Sequence, residues 1–174
     1  GSGTILIEGA MLAMHIAPGL RRHFAAEKWK AVPGNIWDNE RIAAKALERR
    51  DEGFLAFGYD IDPEAVRLTL ENAKKAGVAQ YISAEVRDIK DFSNDGPFGC
   101  VICNPPYGER LLDVKTAEDI YKTMGRVFTP KRGWSYAAIS PDERFETCFG
   151  KKADRRRKLY NGMIRCQYYM YFKA

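Results

Sequence analysis

The segment Asn104-Pro105-Pro106-Tyr107 follows the apolar stretch 98–103 and carries the most specific chemistry in the sequence. An exocyclic amine can attack a methyl donor when two hydrogen-bond acceptors of the protein hold its hydrogens and keep the nitrogen lone pair available. A side-chain amide oxygen and a backbone carbonyl can be these acceptors. Asn104 supplies the amide oxygen. Pro106 lacks an N–H and so leaves the carbonyl of Pro105 free. The Tyr107 ring can stack on an extruded base. The four residues indicate catalysis at a nucleobase amine, although Asn-Pro also marks ordinary turns.

Glycines precede the first predicted helix in Gly1-Ser2-Gly3-Thr4. Glycines allow a ligand to approach the backbone closely, and the amides at a helix N-terminus point outward toward polar or anionic groups. The same three letters also occur as a cloning remnant. The helical character of the residues after Thr4 favours a genuine ligand-binding loop at Gly1 and Gly3.

Acidic residues follow the next two predicted strands. Asp60 can accept hydrogen bonds from both ribose hydroxyls of a nucleoside, whereas Asp62 is better explained as a helix cap. Asp88 can accept from an adenine amino group or can be an ordinary loop aspartate. With Asn104, these residues lie at successive strand ends, the edge where open α/β sheets bind ligands. The 57 residues from Gly3 to Asp60 far exceed the ~20 of a dinucleotide fingerprint and disfavour a nicotinamide enzyme.

Composition indicates a globular protein with an acidic partner. The chain has 174 residues, of which 45% are hydrophobic and 29% charged, with a net charge of +5. We expect no membrane span, because no apolar run approaches the ~18 residues required. We also expect no metal, because Cys100 and Cys103 lie three apart on a strand and so point to opposite faces. Buried thiols of this kind predict a cytoplasmic protein.

Strand and helix signals alternate along most of the chain. This pattern predicts an α/β, Rossmann-like fold with a mostly parallel sheet and a C-terminal antiparallel hairpin. The hairpin turn is placed at Asn161-Gly162. The aromatic end (Tyr168, Tyr169, Tyr171 and Phe172) is expected to be core. Predicted helices cover 4–16, 39–50, 63–76, 117–128 and 142–149, and predicted strands cover 54–59, 81–86, 98–103, 134–139, 158–160 and 164–172.

A doubly wound sheet requires a strand before its first helix, and this sequence begins at its glycines. We therefore expect residues 1–174 to form a single domain whose first strand lies outside this chain. Sequence reasoning leaves the oligomeric state open.

A basic run occupies residues 151–158. Such a run is usually a solvated surface, but beside a base-modifying site it can also bind phosphates. The predicted RNA contacts are Lys151, Lys152, Arg155, Arg156, Arg157, Lys158 and Arg110, with Arg21 and Arg22 as weaker candidates.

Several motifs together resemble a known family: G-S-G-T-I-L-I-E at the start, G-Y-D-I-D at 58–62, N-P-P-Y-G-E-R at 104–110 and K-L-Y-N-G at 158–162. The chain resembles the methyltransferase domain of bacterial large-subunit ribosomal RNA guanine-N2 methyltransferases, which usually carry an RNA-binding THUMP domain upstream. That domain is absent from this sequence. The resemblance implies a class I methyltransferase fold, S-adenosylmethionine as methyl donor and the N2 amine of a guanine in ribosomal RNA as acceptor. It also implies donor contacts by Gly1, Gly3, Asp60, Asp88 and Asn104, and catalysis by Asn104, Pro105, Pro106 and Tyr107.

Other functions remain open at this stage. The same tetrapeptide suits the N6 amine of adenine in DNA or RNA, and related sites serve small-molecule or protein-glutamine methylation. A non-catalytic RNA-binding fragment is the alternative from a different class. It predicts that the protein binds no methyl donor.

Overall fold

The computed structural model describes residues 1–49, 53–93, 95–107, 114–128 and 130–172. These residues divide into an N-terminal unit, Gly1–Val86, and a C-terminal unit, Arg87–Ala174. The predicted Arg110 contact and the 108–110 extension of the motif lie outside the described residues.

The N-terminal unit contains two parallel strands and three α-helices. Strand β1 pairs with β2 from Ala56 opposite Ile82 to Asp60 opposite Val86. Short 3₁₀ helices occur at Ala25–Lys28 and Ala79–Tyr81. The elements are α1 (Thr4–Ala13), α2 (Gly34–Ala46), β1 (Ala56–Asp60), α3 (Pro63–Ala76) and β2 (Ile82–Val86).

Helix α3 has the ends that its sequence predicts. The side chain of Asp62 accepts a hydrogen bond from the N–H of Glu64 at 2.9 Å, and Pro63 occupies the first helical position. Gly77 ends the helix in the left-handed conformation with φ 76°. The predicted cap, start and stop of this helix are all confirmed.

The core of the N-terminal unit forms where α1 and α3 pack on the strands. Gly58 in β1 lies against Leu6 of α1, and a Cβ at this position would require the Leu6 side chain to move. The fully or nearly fully buried residues are Ala10, Met14, Ala73, Val78, Tyr81 and Ile82.

The C-terminal unit contains a four-stranded sheet in the order β3-β4-β6-β5. Strands β3 and β4 are parallel, and β6 runs antiparallel between β4 and β5. Three of the four strands therefore point the same way, as the sequence predicts. The elements are β3 (Gly99–Cys103), α4 (Val114–Val127), β4 (Trp134–Ser140), α5 (Phe145–Phe149), β5 (Arg155–Asn161) and β6 (Ile164–Tyr171), with a 3₁₀ helix at Ile89–Asp91.

Aromatic rings from β6 and α5 build the core of this unit. Phe145 stacks on Tyr169 and Phe149 stacks on Tyr171, each pair with ring centroids 4.5 Å apart. Such pairs stabilise a core beyond the area that they bury. The prediction of an aromatic core strand is confirmed for Tyr169 and Tyr171. Tyr168 is only half-buried and is not part of the core. The prediction is wrong for Phe172, which is 51% exposed because β6 ends one residue earlier.

Several element boundaries differ from the prediction: α1 ends at Ala13 rather than at 16, α4 begins at Val114 rather than at 117, and α5 begins at Phe145 rather than at 142. Two further differences have a clear cause. The helix expected at Asn39 begins at Gly34, directly after Pro33, and its first turns include Trp37, which stacks on Phe24 with ring centroids 5.6 Å apart. The strand expected at 158–160 extends over Arg155–Asn161, because β6 pairs with its whole length. In both places tertiary contacts outweigh the local propensities of polar residues.

The β5–β6 hairpin closes with a two-residue loop, Gly162-Met163, between the paired residues Asn161 and Ile164. Gly162 has φ 61°, and the second loop residue has no positive φ. This is the pattern of a type II′ turn, in which glycine occupies the first loop position. The predicted primed turn is present, with Asn161 as the last strand residue rather than a turn residue.

Gly125 in α4 makes a close backbone contact that can be tested. A Cβ there would overlap the carbonyl oxygen of Phe149 and lie 2.8 Å from its carbonyl carbon. We expect Gly125→Ala to lower the free energy of unfolding by about 2–3 kcal/mol, as overpacking does. Urea unfolding of the protein that carries this domain measures the change.

The control is Gly9→Ala in α1, where a Cβ meets no atom within 4 Å. Alanine is the better helix former, so this variant should be as stable as the wild type or up to about 1 kcal/mol more stable. Equal stability of Gly125→Ala and the wild type would contradict the close approach of α4 to Phe149.

Candidate active site

The glycine loop, residues 1–4, has a backbone shape that excludes residues larger than glycine at position 3. Gly3 precedes α1 with φ 78°, in the left-handed region. A Cβ on Gly3 would lie 2.6 Å from the side-chain methyl carbon of Thr69. Both its backbone conformation and its neighbour therefore require glycine at this position.

Helix α3 holds the glycine loop from the side. The Thr69 hydroxyl donates a hydrogen bond to the carbonyl of Gly1 at 2.9 Å, and the side-chain amide of Asn72 donates to the carbonyl of Ser2 at 3.1 Å. Thr69 is only 5% exposed, as expected of a polar group with an internal partner. The sequence gives no sign of either role, because a Thr and an Asn three residues apart on an amphipathic helix are a common pattern.

Asp60 ends β1 beside this loop. Its carboxylate accepts hydrogen bonds from the nitrogen of Gly1 and, at 3.1 Å, from the N–H of Asp62. Burial raises the pKa of Asp60, and the hydrogen bond from the N–H of Asp62 lowers it. The carboxylate is a hydrogen-bond acceptor suited to sugar hydroxyls. The structure brings Gly1, Gly3 and Asp60 together, as the strand-end argument predicts.

Asp88 has local partners in the C-terminal unit. Its carboxylate accepts from the N–H of Lys90 at 3.0 Å and lies 3.3 Å from the Lys90 ammonium. The Lys90 N–H lowers the pKa of Asp88 below its usual value. This residue caps the 3₁₀ helix Ile89–Asp91, the structural role expected of an ordinary loop aspartate. Its contact with a donor remains a prediction.

The Asn104–Tyr107 turn follows β3 directly. Asn104 and Pro106 are exposed, Pro105 is buried and Tyr107 is half-buried. The buried proline fixes the turn, while the amide of Asn104 remains accessible to a ligand. The amide is therefore available to accept a hydrogen bond from a substrate amine.

The cysteines near this turn have no catalytic character. Cys103 faces the buried side of the sheet, where burial raises the pKa of its thiol to about 12. All four cysteines are free thiols, but Cys100 is exposed, so the prediction of buried thiols is wrong for this residue. The prediction that Cys100 and Cys103 point to opposite faces agrees with this difference in exposure.

Tyr107 has a partner that the sequence did not reveal. The side-chain amide of Asn161, at the end of β5, donates a hydrogen bond to the Tyr107 hydroxyl. The tetrapeptide and the β5–β6 hairpin therefore meet in the C-terminal unit. No sequence signal links residues 54 positions apart.

All the basic residues of the run 151–158 are exposed, but two of them also contact the core of the C-terminal unit. Arg156 pairs with Glu146 through its Nε at 2.8 Å, and its guanidinium lies 5.7 Å from the Tyr169 ring. The Lys151 ammonium lies 5.8 Å from the Tyr171 ring. These two residues stabilise the domain itself. The remaining members, Lys152, Arg155, Arg157 and Lys158, are exposed.

The weaker RNA candidates also have internal contacts. Arg21 donates to the carbonyl of Lys75 at 3.4 Å, at the last turn of α3. The guanidinium of Arg22 lies 5.9 Å from the Phe24 ring. Both residues therefore contribute to the N-terminal unit, whatever else they bind.

No group of three or more His, Cys, Asp or Glu side chains in the described ranges is arranged to hold a metal ion. No helix of the part that the structure describes is long and apolar enough to cross a membrane.

An α/β fold with a loop of glycines, a strand-end acid and an Asn-Pro-Pro-Tyr turn is typical of class I methyltransferase domains. Its residues 1–170 match the UPF0020 family, described as RMKL-like, methyltransferase domain. The chain belongs to that family.

Two relatives extend the comparison. YpsC of Bacillus subtilis, described as an RNA methyltransferase, is 40% identical over 172 residues, which are 99% of this chain and 45% of that protein. Ribosomal RNA large subunit methyltransferase K/L of Methylococcus capsulatus is 37% identical over 179 residues, 98% of this chain and 24% of that protein. The chain thus spans less than half the length of either relative.

Solved structures agree on the fold. SMU.472, described as a methyltransferase and crystallised with SAH, has a TM-score of 0.94 and 38% identity, covering all of this chain and 46% of that one. A Listeria monocytogenes protein described as a predicted N6-adenine-specific DNA methylase has a TM-score of 0.90 and 36% identity, covering all of this chain and 45% of that one. The predicted class I methyltransferase fold is confirmed.

Asp60 supplies a direct test of the glycine-loop site. We expect Asp60→Ala to weaken binding of SAH by about tenfold or more, because it removes a charged acceptor that contributes about 1.5–3 kcal/mol per hydrogen bond. Isothermal titration of the full-length protein measures the affinity.

Asp62→Asn is the matched control for this test. Asparagine retains the cap of α3, so the helix and the SAH affinity should both be unchanged. If Asp60→Ala bound SAH as tightly as this control, the assignment of the donor to the end of β1 would be wrong.

Proposed function

We propose that this chain is the catalytic domain of an S-adenosylmethionine-dependent RNA methyltransferase that modifies the exocyclic N2 amine of a guanine in large-subunit ribosomal RNA. The observation that carries the proposal is the accessible Asn104 amide at the end of β3, followed by a turn that a buried Pro105 fixes. Family membership and the ribosomal RNA methyltransferase of Methylococcus capsulatus support it.

The residues of the glycine loop fit the methyl donor. When bound, S-adenosylmethionine supplies an electrophilic methyl carbon on a sulfonium. Gly1 and Gly3 admit a ligand close to the backbone. Thr69 packs so closely against Gly3 that no Cβ fits at this position. The ionised Asp60 carboxylate accepts from the ribose hydroxyls. Asp88 accepts from the adenine amino group while it caps its own helix.

The Asn104–Tyr107 turn binds the acceptor base. The Asn104 amide oxygen and the Pro105 carbonyl accept the two hydrogens of the amine and keep its lone pair directed at the methyl carbon. The Tyr107 ring stacks on the base. The amine nitrogen would bond to the methyl carbon as the carbon–sulfur bond of the donor breaks and leaves a neutral thioether. No side-chain base would be needed, because the alkylated amine is acidic enough to lose its proton to water. Asn104 also contacts the donor.

Outward-facing cations provide the attraction for RNA. Lys152, Arg155, Arg157 and Lys158 are exposed on a chain with a net charge of +5. Each phosphate contact of such residues strengthens binding and makes it more sensitive to salt. Arg156 and Lys151 contribute less to binding, because they hold Glu146 and the Tyr171 ring. We place the enzyme in the cytoplasm with its ribosomal RNA.

Adenine N6 is the second candidate acceptor. The similar Listeria monocytogenes protein is described as an N6-adenine-specific DNA methylase, and the same pair of acceptors suits either amine. The exposed cations of β5 favour RNA in this chain, but they do not distinguish guanine from adenine.

Product analysis tests the proposal. The full-length protein is incubated with labelled S-adenosylmethionine and either unmodified large-subunit ribosomal RNA or duplex DNA, and digested nucleosides are identified by mass spectrometry. We expect N2-methylguanosine from the RNA. If either substrate gave N6-methyladenine, the acceptor would be adenine N6 rather than guanine N2. If neither substrate gave a methylated product, the proposed function would be contradicted.

Asn104 should separate catalysis from donor binding. We expect Asn104→Ala to lower kcat for methyl transfer by about two to three orders of magnitude, the usual cost of removing one transition-state hydrogen-bonding group. The affinity for SAH should stay within a few fold. Single-turnover assays and titration calorimetry measure the two quantities.

Asn39→Ala, an exposed asparagine in α2, is the control and should leave both quantities unchanged. Undiminished turnover by Asn104→Ala would refute the proposed role of the amide.

A further inference from the structure

The tip of the β5–β6 hairpin, residues 160–165, lies at the same edge of the sheet as Asn104. Strand β6 is antiparallel to both β4 and β5, so β5 points the same way as β3 and β4. The carboxyl ends of these three strands therefore share one edge. That edge begins at Cys103 in β3 and ends at Asn161 in β5.

A hydrogen bond fixes the tip to the proposed base site. Asn161 donates its side-chain amide N–H to the Tyr107 hydroxyl. The ring on which the target base would stack is therefore held by the hairpin rather than by its own turn alone. Tyr160, the preceding residue, faces the opposite side of β5, because successive strand residues alternate.

The hairpin carries an exposed aromatic ring at its tip and a cation near it on each strand. Tyr160 is 62% exposed, and the Lys158 ammonium lies 5.2 Å from its ring centroid. Arg165, also exposed, stands directly opposite Tyr160 in the β5–β6 register. Met163 in the turn is 99% exposed. Exposed aromatic rings with adjacent cations are the usual means of binding single-stranded nucleic acid.

An enzyme that extrudes a base must also hold its neighbours. The flanking nucleotides lose a stacking partner when the target leaves the stack, and contacts to them determine which sequence context is accepted. A second aromatic platform on the hairpin that contacts Tyr107 meets this requirement. Tyr160 is adjacent in sequence to the residue that contacts Tyr107.

We propose that the hairpin tip binds the nucleotide next to the target in single-stranded RNA, with the Tyr160 ring stacked on its base and Lys158 and Arg165 at its phosphate. In this arrangement Asn161 is a positioning residue that orients Tyr107 for the target base. The proposal rests on the proposed function as an RNA methyltransferase and adds the surface that selects the RNA strand.

Binding of a fluorescein-labelled single-stranded RNA of mixed sequence to the full-length protein tests the platform. By fluorescence anisotropy, we expect Tyr160→Ala to weaken binding by about tenfold, within the range for loss of one stacked base. Tyr160→Phe retains the ring and should bind within about twofold of the wild type. SAH affinity should be unchanged in both variants.

Phe98→Ala is the matched control. Phe98 is 76% exposed and directly precedes β3, at the opposite edge of the same sheet. Its loss should leave RNA binding unchanged. If the wild type binds and methylates RNA but Tyr160→Ala binds equally well, the platform is wrong and the proposed function stands. If the wild type neither binds nor methylates RNA, the proposed function itself is wrong.

A double-mutant cycle tests the positioning role of Asn161. We expect Asn161→Ala and Tyr107→Phe each to lower kcat for RNA methylation about three- to tenfold with little change in KM. The double variant should be no slower than either single variant, because both remove the same hydrogen bond. Asn161→Asp, which can accept from the hydroxyl, should restore part of the rate. If the loss of kcat in the double variant equalled the product of the two single losses, Asn161 would not act through Tyr107.

Discussion

The antiparallel strand β6 is the constraint on which the C-terminal unit depends. It pairs with β4 through Ala138 opposite Tyr169 and with β5 through Arg156 opposite Tyr169. The Tyr169 ring stacks on Phe145, and its hydroxyl donates to the carbonyl of Asp142 at 3.2 Å. Because β6 separates β4 from β5, the outermost strand points the same way as β3. Its carboxyl end, with Asn161, therefore meets the turn that follows β3.

In the N-terminal unit a single helix organises the proposed donor site. Helix α3 begins at the Asp62 cap, two residues after Asp60, and supports the glycine loop through Thr69 and Asn72. Asp60 and the glycine loop are therefore both positioned by helix α3. Donor-binding groups held by regular structure keep their geometry better than groups on unsupported loops. The proposed chemistry in the C-terminal unit has a comparable support in β3 and the hairpin.

Local features of both units could be read from the sequence, and distant contacts could not. The Asp62 cap, the Gly77 stop and the alternation of strands and helices depend on neighbouring residues. Thr69, Asn72 and Asn161 act on partners 68, 70 and 54 positions away, so no local pattern identified them. The extended start of β5 likewise depends on pairing with β6. The donor and catalytic roles of Gly1, Asp60, Asp88 and Asn104 remain predictions, because they concern ligands.

The central claim is that the donor and the RNA are bound by different groups of residues that share only Asn104. Hydrogen exchange of the full-length protein, followed by mass spectrometry, tests it directly with SAH alone and then with SAH and single-stranded RNA. SAH should slow exchange in peptides that cover residues 1–4 and 60–62. RNA should add protection in peptides that cover 98–107 and 160–165. Bound RNA that protected neither of the last two segments would contradict the account.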